Sequence, residues 1–387
     1  MEAYLDNAAT TRVSPAVLSK MNQVYGTDFG NPSSMHKKGM EAEQYVKDAR
    51  RQIADILKCE PSELIFTSGG TESNNMALIG TALANKRAGN HIITTRIEHA
   101  SVYEPLLFLE EMGFRVSFAP VDESGRVKVE ELVDAVGNDT ILVSVMYVNN
   151  EIGCIEPIAE IAKKIKEKNP KVLFHVDAIQ AFGKMKIQPA REGIDLLSVS
   201  GHKIHGPKGS GFLYVKNKTK IRPVIYGGGQ ERGMRSGTEN VPGIAGIGQA
   251  AADMYAKLSE NREHLYSLKE RLNERLSAME GVTVNGIPAE GVRATAPHVV
   301  SASFAGIRSE VLLHALEEKG VYVSSGSACS SNHPDISGTL VAIGVKKELL
   351  DATLRFSFSV ETTMEEIDYA ADCVEQLLPQ LRRFFRK

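Results

Sequence analysis

The residue with the most evident chemistry is Lys203, which lies in the glycine-rich stretch GHKIHGPKGSG (201–211) directly after an apolar run. A lysine placed just past a buried strand is partly desolvated, and desolvation favours the neutral amine that attacks aldehydes. The stretch lacks the GK[ST] spacing of a nucleotide-binding phosphate loop. His202 and His205 flank the lysine, but the sequence supplies no clear third metal ligand, so a metal site has little support. Lys203 is therefore a candidate nucleophile.

Polar residues also follow four other apolar runs of the chain. At the ends of these runs stand Gly70 with Thr71, Glu98 with His99, Asn149 with Asn150, and Asp177 with Gln180. The carboxyl ends of parallel strands meet at one edge of a sheet, where ligands bind. We therefore expect these side chains to converge with Lys203 on a single site.

An aldehyde cofactor that carries a phosphate accounts for this set. The glycines of SGGT (68–71) precede a predicted helix start, where backbone N–H groups and the positive helix end can hold a phosphate. Taken alone, the stretch is explained equally well by a glycine turn with Thr71 as helix N-cap. Pyridoxal 5′-phosphate (PLP) needs a Schiff-base lysine, a carboxylate at the pyridine nitrogen, an aromatic face over the ring and a phosphate cup. The candidates, in that order, are Lys203, Asp177, His99, and Gly70 with Thr71.

Cys329 stands in an unusual environment, VYVSSGSACSSNHP (321–334). A structural cysteine usually lies among apolar neighbours, whereas serine and glycine are typical of exposed, flexible loops. The thiolate is the reactive form of cysteine, so an exposed position favours reactivity. The other cysteines are scattered and form no CxxC pair, which excludes a disulfide scaffold and argues against structural zinc. They are Cys59, Cys154 and Cys373.

The elements that must position these residues are visible in the hydrophobic pattern. Between residues 64 and 215, seven short apolar runs alternate with helical patterns such as 71–89 and 158–168. Short β-branched runs indicate strands covered on both faces. Strands that alternate with helices predict an α/β fold with a mostly parallel seven-stranded sheet and right-handed crossovers. We expect this large domain to comprise residues 15–255 and to bind the cofactor.

The pattern changes after Gly228. Residues 251–280 contain no glycine or proline and predict one long amphipathic helix that connects the two parts. Three later strand patterns alternate with helices, at 298–306, 321–325 and 352–359. They predict a smaller α+β domain made of residues 1–14 and 256–387, which carries the Cys329 loop.

Bulk composition limits the possible functions. The chain has 387 residues, a net charge of −3, 42% hydrophobic residues and 24% charged residues, which is typical of a globular protein of more than one domain. This charge balance argues against direct nucleic-acid binding. No apolar run reaches the ~18 residues of a membrane span, and the first residues lack a signal-peptide pattern. We therefore expect a cytoplasmic protein without direct membrane or nucleic-acid contact.

Ten short motifs resemble a known family in identity and in order. They are YLDNAATT, NPSSMH, FTSGGTESNN, EHASV, NNEIG, HVDAIQAFGK, SVSGHKIHGPKGSG, RSGTEN, SSGSACSS and LRFSFS. Across essentially its whole length, the chain resembles the NifS/IscS-like class I cysteine desulfurases, within the fold-type I PLP-dependent transferases. The resemblance implies PLP as cofactor, L-cysteine as substrate and a homodimer as the active unit.

The resemblance also implies roles around the cofactor ring. Lys203 would carry the cofactor as a Schiff base, and Asp177 would pair with the pyridinium nitrogen. His99 would stack on the ring and move protons as a catalytic residue. Gln180 would form a hydrogen bond with the phenolate oxygen, with Asn150 close to that oxygen and to the substrate.

Further roles concern the phosphate and the substrate carboxylate. The phosphate would be held by Gly70, Thr71, Ser200, His202 and, from the other subunit, Thr238. Arg355 of LRFS would bind the substrate carboxylate, for which the planar guanidinium is suited.

For Cys329 the resemblance implies attack on the substrate sulfur, which leaves L-alanine and an enzyme persulfide. The sulfur would pass to an acceptor protein such as an iron–sulfur scaffold or an enzyme of tRNA or cofactor thiolation. No resident metal is expected, and a transient role of Cys329 as an iron–sulfur ligand is an alternative use of the thiol. The sequence departs from many relatives at His333-Pro334-Asp335 and in FSFSVETT (356–363), and the first departure leaves the identity of the partner open.

Other functions stay open at this stage. Lys203 and Asp177 are shared by other fold-type I enzymes, so a selenocysteine lyase or an aminotransferase is the main alternative. A PLP-free sulfur-relay module would leave Lys203 without a purpose. A cysteine hydrolase with His99 as base would leave Lys203, Asp177 and the phosphate cup unexplained.

Overall fold

The structure, a computed structural model, describes residues 1–325 and 336–385, so Cys329 and His333-Pro334-Asp335 lie outside the described residues. The strands are β1 (Ala3–Tyr4), β2 (Leu64–Thr67), β3 (His91–Thr95), β4 (Arg115–Ala119), β5 (Thr140–Met146), β6 (Leu173–Asp177), β7 (Leu196–Ser200), β8 (Gly211–Val215), β9 (Val282–Asn285), β10 (Val299–Phe304), β11 (Val321–Tyr322), β12 (Ser324–Ser325) and β13 (Thr353–Ser357).

The helices are α1 (Pro15–Gly26), α2 (Lys37–Leu57), α3 (Gly70–Asn85), α4 (Ala100–Glu111), α5 (Val129–Asp134), α6 (Ile158–Lys168), α7 (Pro189–Glu192), α8 (Val241–Ala256), α9 (Leu258–Ser277), α10 (Ser309–Glu317), α11 (Gly338–Ala342), α12 (Lys347–Leu350) and α13 (Met364–Phe385). Over the described part of the chain, none of them is long and apolar enough to cross a membrane.

A seven-stranded sheet has the order β2-β8-β7-β6-β5-β3-β4. Only β8 runs antiparallel to its neighbours, β2 and β7, while the other pairs are parallel. Each strand coincides with one of the seven apolar runs to within one residue at its start, so the predicted α/β fold with a mostly parallel sheet is confirmed. The parallel strands bring the residues that follow them to one edge, as the sequence predicted.

Both faces of this sheet are covered. Strand side chains alternate between two apolar clusters: Leu197 and Val199 of β7 face one cluster, and Leu196 faces the other. Helices α3 and α4 supply the second cluster, whereas α1, α2, α6 and α8 supply the first. In α6, Ile158, Ile161, Ala162 and Ile165 are buried at helical spacing. Burial on both faces explains why the strands read as continuous apolar runs.

A second group of elements surrounds a four-stranded antiparallel sheet, β12-β13-β10-β9. The short strand β1 pairs in parallel with β11 beside it. Residues of α9, α10 and α13 pack with these strands in one apolar cluster. The division into residues 15–255 and residues 1–14 with 256–387 remains a prediction.

The single helix predicted over 251–280 is wrong. Helix α8 ends at Ala256 and α9 begins at Leu258, because Lys257 between them has non-helical backbone angles (φ −120°, ψ 24°). Helix α8 packs on α1 and α2, whereas α9 packs on α13 and β9. One straight helix could not pack against both sets of neighbours. The break is caused by tertiary packing and carries no glycine or proline signal.

Candidate active site

A cavity of about 270 Å³ lies where residues follow the carboxyl ends of β2, β3, β5, β6 and β7. Ten of the predicted site residues line it: Gly70, Thr71, His99, Asn150, Asp177, Gln180, Ser200, His202, Lys203 and Arg355. Thr238 does not line the cavity and is exposed, and Cys329 lies outside the described residues. The structure thus brings together the residues that the sequence assigned to one site, while their individual roles remain predictions.

Asp177 is the last residue of β6 and is buried. Its carboxylate accepts hydrogen bonds from the backbone N–H of Ile179 at 2.9 Å and from Asn74 Nδ2 at 2.8 Å. Burial raises the pKa of Asp177, and these two hydrogen bonds partly oppose the shift. The carboxylate is therefore fixed in orientation, and any positive charge placed opposite it in the cavity would stabilise its ionised form.

His99 is the N-cap of α4. Its Nδ1 accepts a hydrogen bond from the backbone N–H of Ser101 at 3.1 Å. Burial is the main reason that the pKa of His99 lies below its usual value, and Asp177 opposes this shift. A neutral imidazole whose Nδ1 is an acceptor carries its hydrogen on Nε2. His99 is thus a neutral ring with its proton on Nε2.

Asn74 and Ser101 connect these two groups, and sequence reasoning gave neither a role. Asn74 Nδ2 donates to Asp177 Oδ2 and also to Ser101 Oγ, at 2.8 and 2.9 Å. Ser101 Oγ lies 2.9 Å from His99 Nδ1 and donates to it. Asn74 belongs to the FTSGGTESNN motif but follows no strand end, so the signal that identified the other residues was missing.

Lys203 ends a short 3₁₀ turn, Gly201–Lys203, directly after β7. Its Nζ donates to the carbonyl oxygens of Ala8 at 2.5 Å and Ala9 at 2.7 Å. Lys184 Nζ donates to the carbonyl oxygen of Lys203 at 2.9 Å, and burial lowers the pKa of Lys184 to about 7. Ala8 and Ala9 also line the cavity. Because they contact Lys203 through backbone carbonyl groups, their side-chain types did not indicate this role in the sequence.

The other end of the cavity suits an anion. Helix α3 begins at Gly70, and its first backbone N–H groups have no acceptor within the helix. A Cβ on Gly70 would lie 2.2 Å from Ile179 Cδ1, so any larger residue would require the Ile179 side chain to move. Burial, with nearby lysines, lowers the pKa of His202 to about 4, so its imidazole is neutral. An anion would be held by neutral donors and a helix end, with Lys203 nearby.

Arg355 lies in the middle of β13, and its side chain is 4% exposed. Its Nη2 pairs with Asp6 Oδ1 at 2.8 Å, and its Nη1 donates to the carbonyl oxygen of Asn150 at 3.1 Å. The buried Nε has no hydrogen-bond partner among the described residues. The guanidinium is thus held in place, and its Nε–H group remains available to a ligand. Asp6 is a further residue that the sequence did not single out.

Comparisons with known proteins extend this description. Residues 3–370 match the family described as aminotransferase class-V. "Cysteine desulfurase IscS" of Clostridium botulinum (strain Hall) is 44% identical over 382 residues, 98% of this chain and 95% of that protein. A solved structure titled "NIFS-LIKE PROTEIN" matches with a TM-score of 0.92 and 40% identity over 98% of this chain and 100% of its own. Another, "SspA in complex with cysteine", matches with a TM-score of 0.81 and 33% identity over 93% and 100%.

The chain therefore belongs to the aminotransferase class-V family and, within it, to the IscS/NifS cysteine desulfurases. The resemblance carried by the ten motifs is thereby confirmed. Among residues 1–325 and 336–385, no group of three His, Cys, Asp or Glu side chains could hold a metal ion.

Enzymes of this family use PLP, and the residues around the cavity fit that group. Asp177 presents a buried carboxylate, Lys203 an amine, and the start of α3 a set of N–H groups beside Gly70, where a larger side chain would displace Ile179. These are the charge and donor types that a pyridine nitrogen, an aldehyde and a phosphate require.

Proposed function

We propose that this chain is a PLP-dependent cysteine desulfurase that moves the sulfur of L-cysteine to Cys329. The observation that carries the proposal is the shared cavity of Lys203, Asp177 and Arg355. It combines an amine for the cofactor aldehyde, a carboxylate for the pyridine nitrogen and a guanidinium for an amino-acid carboxylate. The chain's place among the IscS/NifS proteins supports the same activity.

Each residue has a defined task in this proposal. PLP, when bound, supplies an electron sink that stabilises negative charge on the substrate carbon next to the amino group. Asp177 keeps a proton on the pyridine nitrogen, and Arg355 binds the substrate carboxylate through N–H groups that its own neighbours leave unused. Lys203 binds the cofactor. His99 exchanges protons through Nε2, because Ser101 uses its Nδ1.

Sulfur transfer balances without an external oxidant. The thiolate of Cys329 forms a bond to the substrate sulfur, and the bond between this sulfur and the substrate β-carbon breaks with its electron pair on the β-carbon. That carbon takes up a proton, so L-cysteine and the enzyme thiol become L-alanine and an enzyme persulfide. An acceptor protein, such as an iron–sulfur scaffold or a thiolation enzyme, then takes the sulfur. The reducing cytoplasm keeps such thiols available.

The active unit in this proposal is a homodimer. Thr238 is exposed and lies outside the cavity of its own chain. It would complete the phosphate site of the partner subunit, together with Gly70, Thr71, Ser200 and His202.

The test is mass spectrometry after one turnover with L-cysteine and no reductant. We expect one equivalent of L-alanine and the mass of one sulfur atom on the peptide that contains Cys329. Cys329→Ala should bind PLP and produce no alanine, while Cys373→Ala serves as the matched control and should behave as wild type. Sulfur on Cys59, Cys154 or Cys373, with alanine still formed by Cys329→Ala, would contradict the proposal. An aminotransferase would instead release the keto acid of cysteine.

A further inference from the structure

His298 is a buried histidine that none of the proposed steps uses. It immediately precedes β10 and is 1% exposed. Its Nε2 lies 3.1 Å from Gln180 Oε1, although 118 residues separate the two in sequence. Gln180 lines the cavity, and its Nε2 donates to the carbonyl oxygen of Ala8 at 3.0 Å. The Gln180 amide is therefore held at both of its polar atoms.

These contacts fix which way the Gln180 amide faces. In the opposite orientation, its oxygen would meet the Ala8 carbonyl oxygen, and two acceptors repel one another. The amide nitrogen would then face His298 Nε2, which would have to lose its hydrogen to accept. The hydrogen would move to His298 Nδ1, a buried atom without a partner among the described residues. A buried donor without an acceptor is costly, so the observed orientation is favoured.

The charge state of His298 supports the same arrangement. Burial is the main cause of a pKa far below the usual value for His298, and Lys184, Lys269, Arg355 and Lys203 add positive charge around it. Lys184 donates to the carbonyl oxygen of Lys203, and Lys269 to Thr295 Oγ1 and the Ala296 carbonyl oxygen. The imidazole is thus neutral, with one hydrogen, on Nε2, available for Gln180 Oε1.

We propose that His298 is a positioning residue that makes Gln180 present an N–H donor, rather than a carbonyl acceptor, to the phenolate oxygen of PLP in the cavity. One amide hydrogen of Gln180 goes to Ala8, and the second remains for the ligand. This inference rests on the proposed function, because it assumes that PLP occupies the cavity. It assigns to the segment before β10 a part in cofactor binding that the sequence did not indicate.

The experiment compares two replacements of nearly equal shape. His298→Gln retains an N–H donor at similar reach, whereas His298→Met has none. His91→Met is the matched control, since His91 is a buried histidine too, with Thr140 and Ser117 as hydrogen-bond partners, but begins β3 away from the cavity. PLP is removed from the full-length proteins, and its dissociation constant is measured by titration. The visible absorbance of the PLP-bound proteins is then measured as a function of pH. His298→Asn and His298→Leu provide a second pair if the first does not fold.

A hydrogen bond donated to the negatively charged phenolate oxygen of PLP stabilises the bound cofactor. It also favours the form of the cofactor that has lost a proton. For His298→Met we expect a PLP dissociation constant raised about fivefold, the effect of one hydrogen bond. The pH midpoint of the colour change should move upward by about half a unit or more. His298→Gln and His91→Met should stay within about twofold of wild type.

Gln180→Met tests whether the effect passes through Gln180. In that background, His298→Met should add nothing to the dissociation constant or to the pH midpoint. An undiminished effect of His298→Met in the Gln180→Met background, or equal values for His298→Gln and His298→Met, would overturn the inference. These outcomes are distinct from failure of the proposed function, which would appear as wild-type protein that neither binds PLP nor forms alanine.

Discussion

Asn74 shows how a single amide organises the ionisable groups of the cavity. Its nitrogen supplies one hydrogen to Asp177 and the other to Ser101, which in turn donates to His99. The oxygen of the same amide is buried and has no partner among the described residues. Turning the amide over would place this oxygen against the Asp177 carboxylate. Asn74 therefore couples the orientation of Asp177 to that of His99.

We predict that Asn74→Ala slows alanine formation by about tenfold, because Asp177 loses one charge-assisted hydrogen bond. The pKa of Asp177 should rise further, so that a proton shared with the pyridine nitrogen lies more on the carboxyl group and less on the nitrogen. Steady-state rates measure the effect, with Asn85→Ala at the far end of α3 as control and Asp177→Asn as the more severe change. A rate for Asn74→Ala equal to that of the control would remove Asn74 from the mechanism.

The residues that sequence reasoning found and missed differ in one physical respect. Lys203, His99 and Asp177 each end a recognisable apolar run, so local pattern and parallel topology suffice to bring them together. Asn74, His298 and Asp6 act through partners that are 103, 118 and 349 residues away. Such pairings depend on how elements that are distant in sequence pack against one another. The spacing of residues along one chain contains no such information.

At the level of elements, β13 and the N-terminal segment together hold Arg355. Arg355 pairs in register with Ser301 on β10 and Ser324 on β12. Asp6 bridges in parallel to Ser357, two residues beyond Arg355, and this brings its carboxylate to the guanidinium. Backbone pairing therefore sets the position of the charge that we assign to substrate binding.

We predict that Asp6→Ala lowers the free energy of unfolding by about 2 kcal/mol, because the charge of Arg355 stays buried without its carboxylate partner. Asp6→Asn keeps an acceptor oxygen and should cost less. Urea unfolding measures both variants. Asp351→Ala is the matched control, since the Arg308–Asp351 pair is exposed and such pairs contribute at most about 1 kcal/mol. Equal losses for Asp6→Ala and Asp351→Ala would show that the burial of Arg355 has no energetic consequence.

Helix α9 is joined to the segment before β10 by a buried lysine. Lys269 Nζ donates to Thr295 Oγ1 at 2.5 Å and to the carbonyl oxygen of Ala296 at 2.7 Å. Burial lowers the pKa of Lys269 to about 7. A neutral amine still donates two hydrogens, so the link persists after the proton is lost.

This pKa predicts a pH dependence of stability. Between pH 7 and the value of about 10.4 in the unfolded chain, the unfolded state binds more protons than the folded state, so stability rises with pH. From pH 7 to pH 9, Lys269 should contribute a gain of about 2 kcal/mol that Lys269→Met lacks. Urea unfolding at both pH values measures the difference, and the exposed Lys163→Met should retain the full gain. Parallel curves for wild type and Lys269→Met would refute this account.

For the molecule as a whole, the surface of a single chain leaves apolar side chains exposed. Around α1 and α2, Tyr25, Phe29, Met35 and Met40 are 62%, 70%, 98% and 63% exposed. Large apolar side chains exposed in one stretch of the chain are typical of surfaces that another protein covers. Together with the position of Thr238 outside its own cavity, they support the proposed homodimer.

The dimer predicts complementation between two inactive chains. Thr238→Asp places a negative charge against the proposed phosphate site of the partner subunit, and Lys203→Ala removes the Schiff-base amine. In a mixed dimer, one site has an intact Lys203 and faces an intact Thr238. After exchange of subunits, about one quarter of all sites should be active. Alanine formation by the mixture measures this, and no recovery despite proven subunit exchange would contradict shared sites.

The contacts of the first residues also determine when the cavity is completed during synthesis. Asn7 donates to the carbonyl oxygen of Ser357 across 350 residues, and the adjoining Ala8 and Ala9 accept the hydrogen bonds of Lys203. A chain made from its first residue onward folds its early elements while the later ones are still missing. The large sheet can therefore form first, whereas the N-terminal turn has to wait for β13 to leave the ribosome. Translation itself thus delays completion of the cavity until β13 has been synthesised.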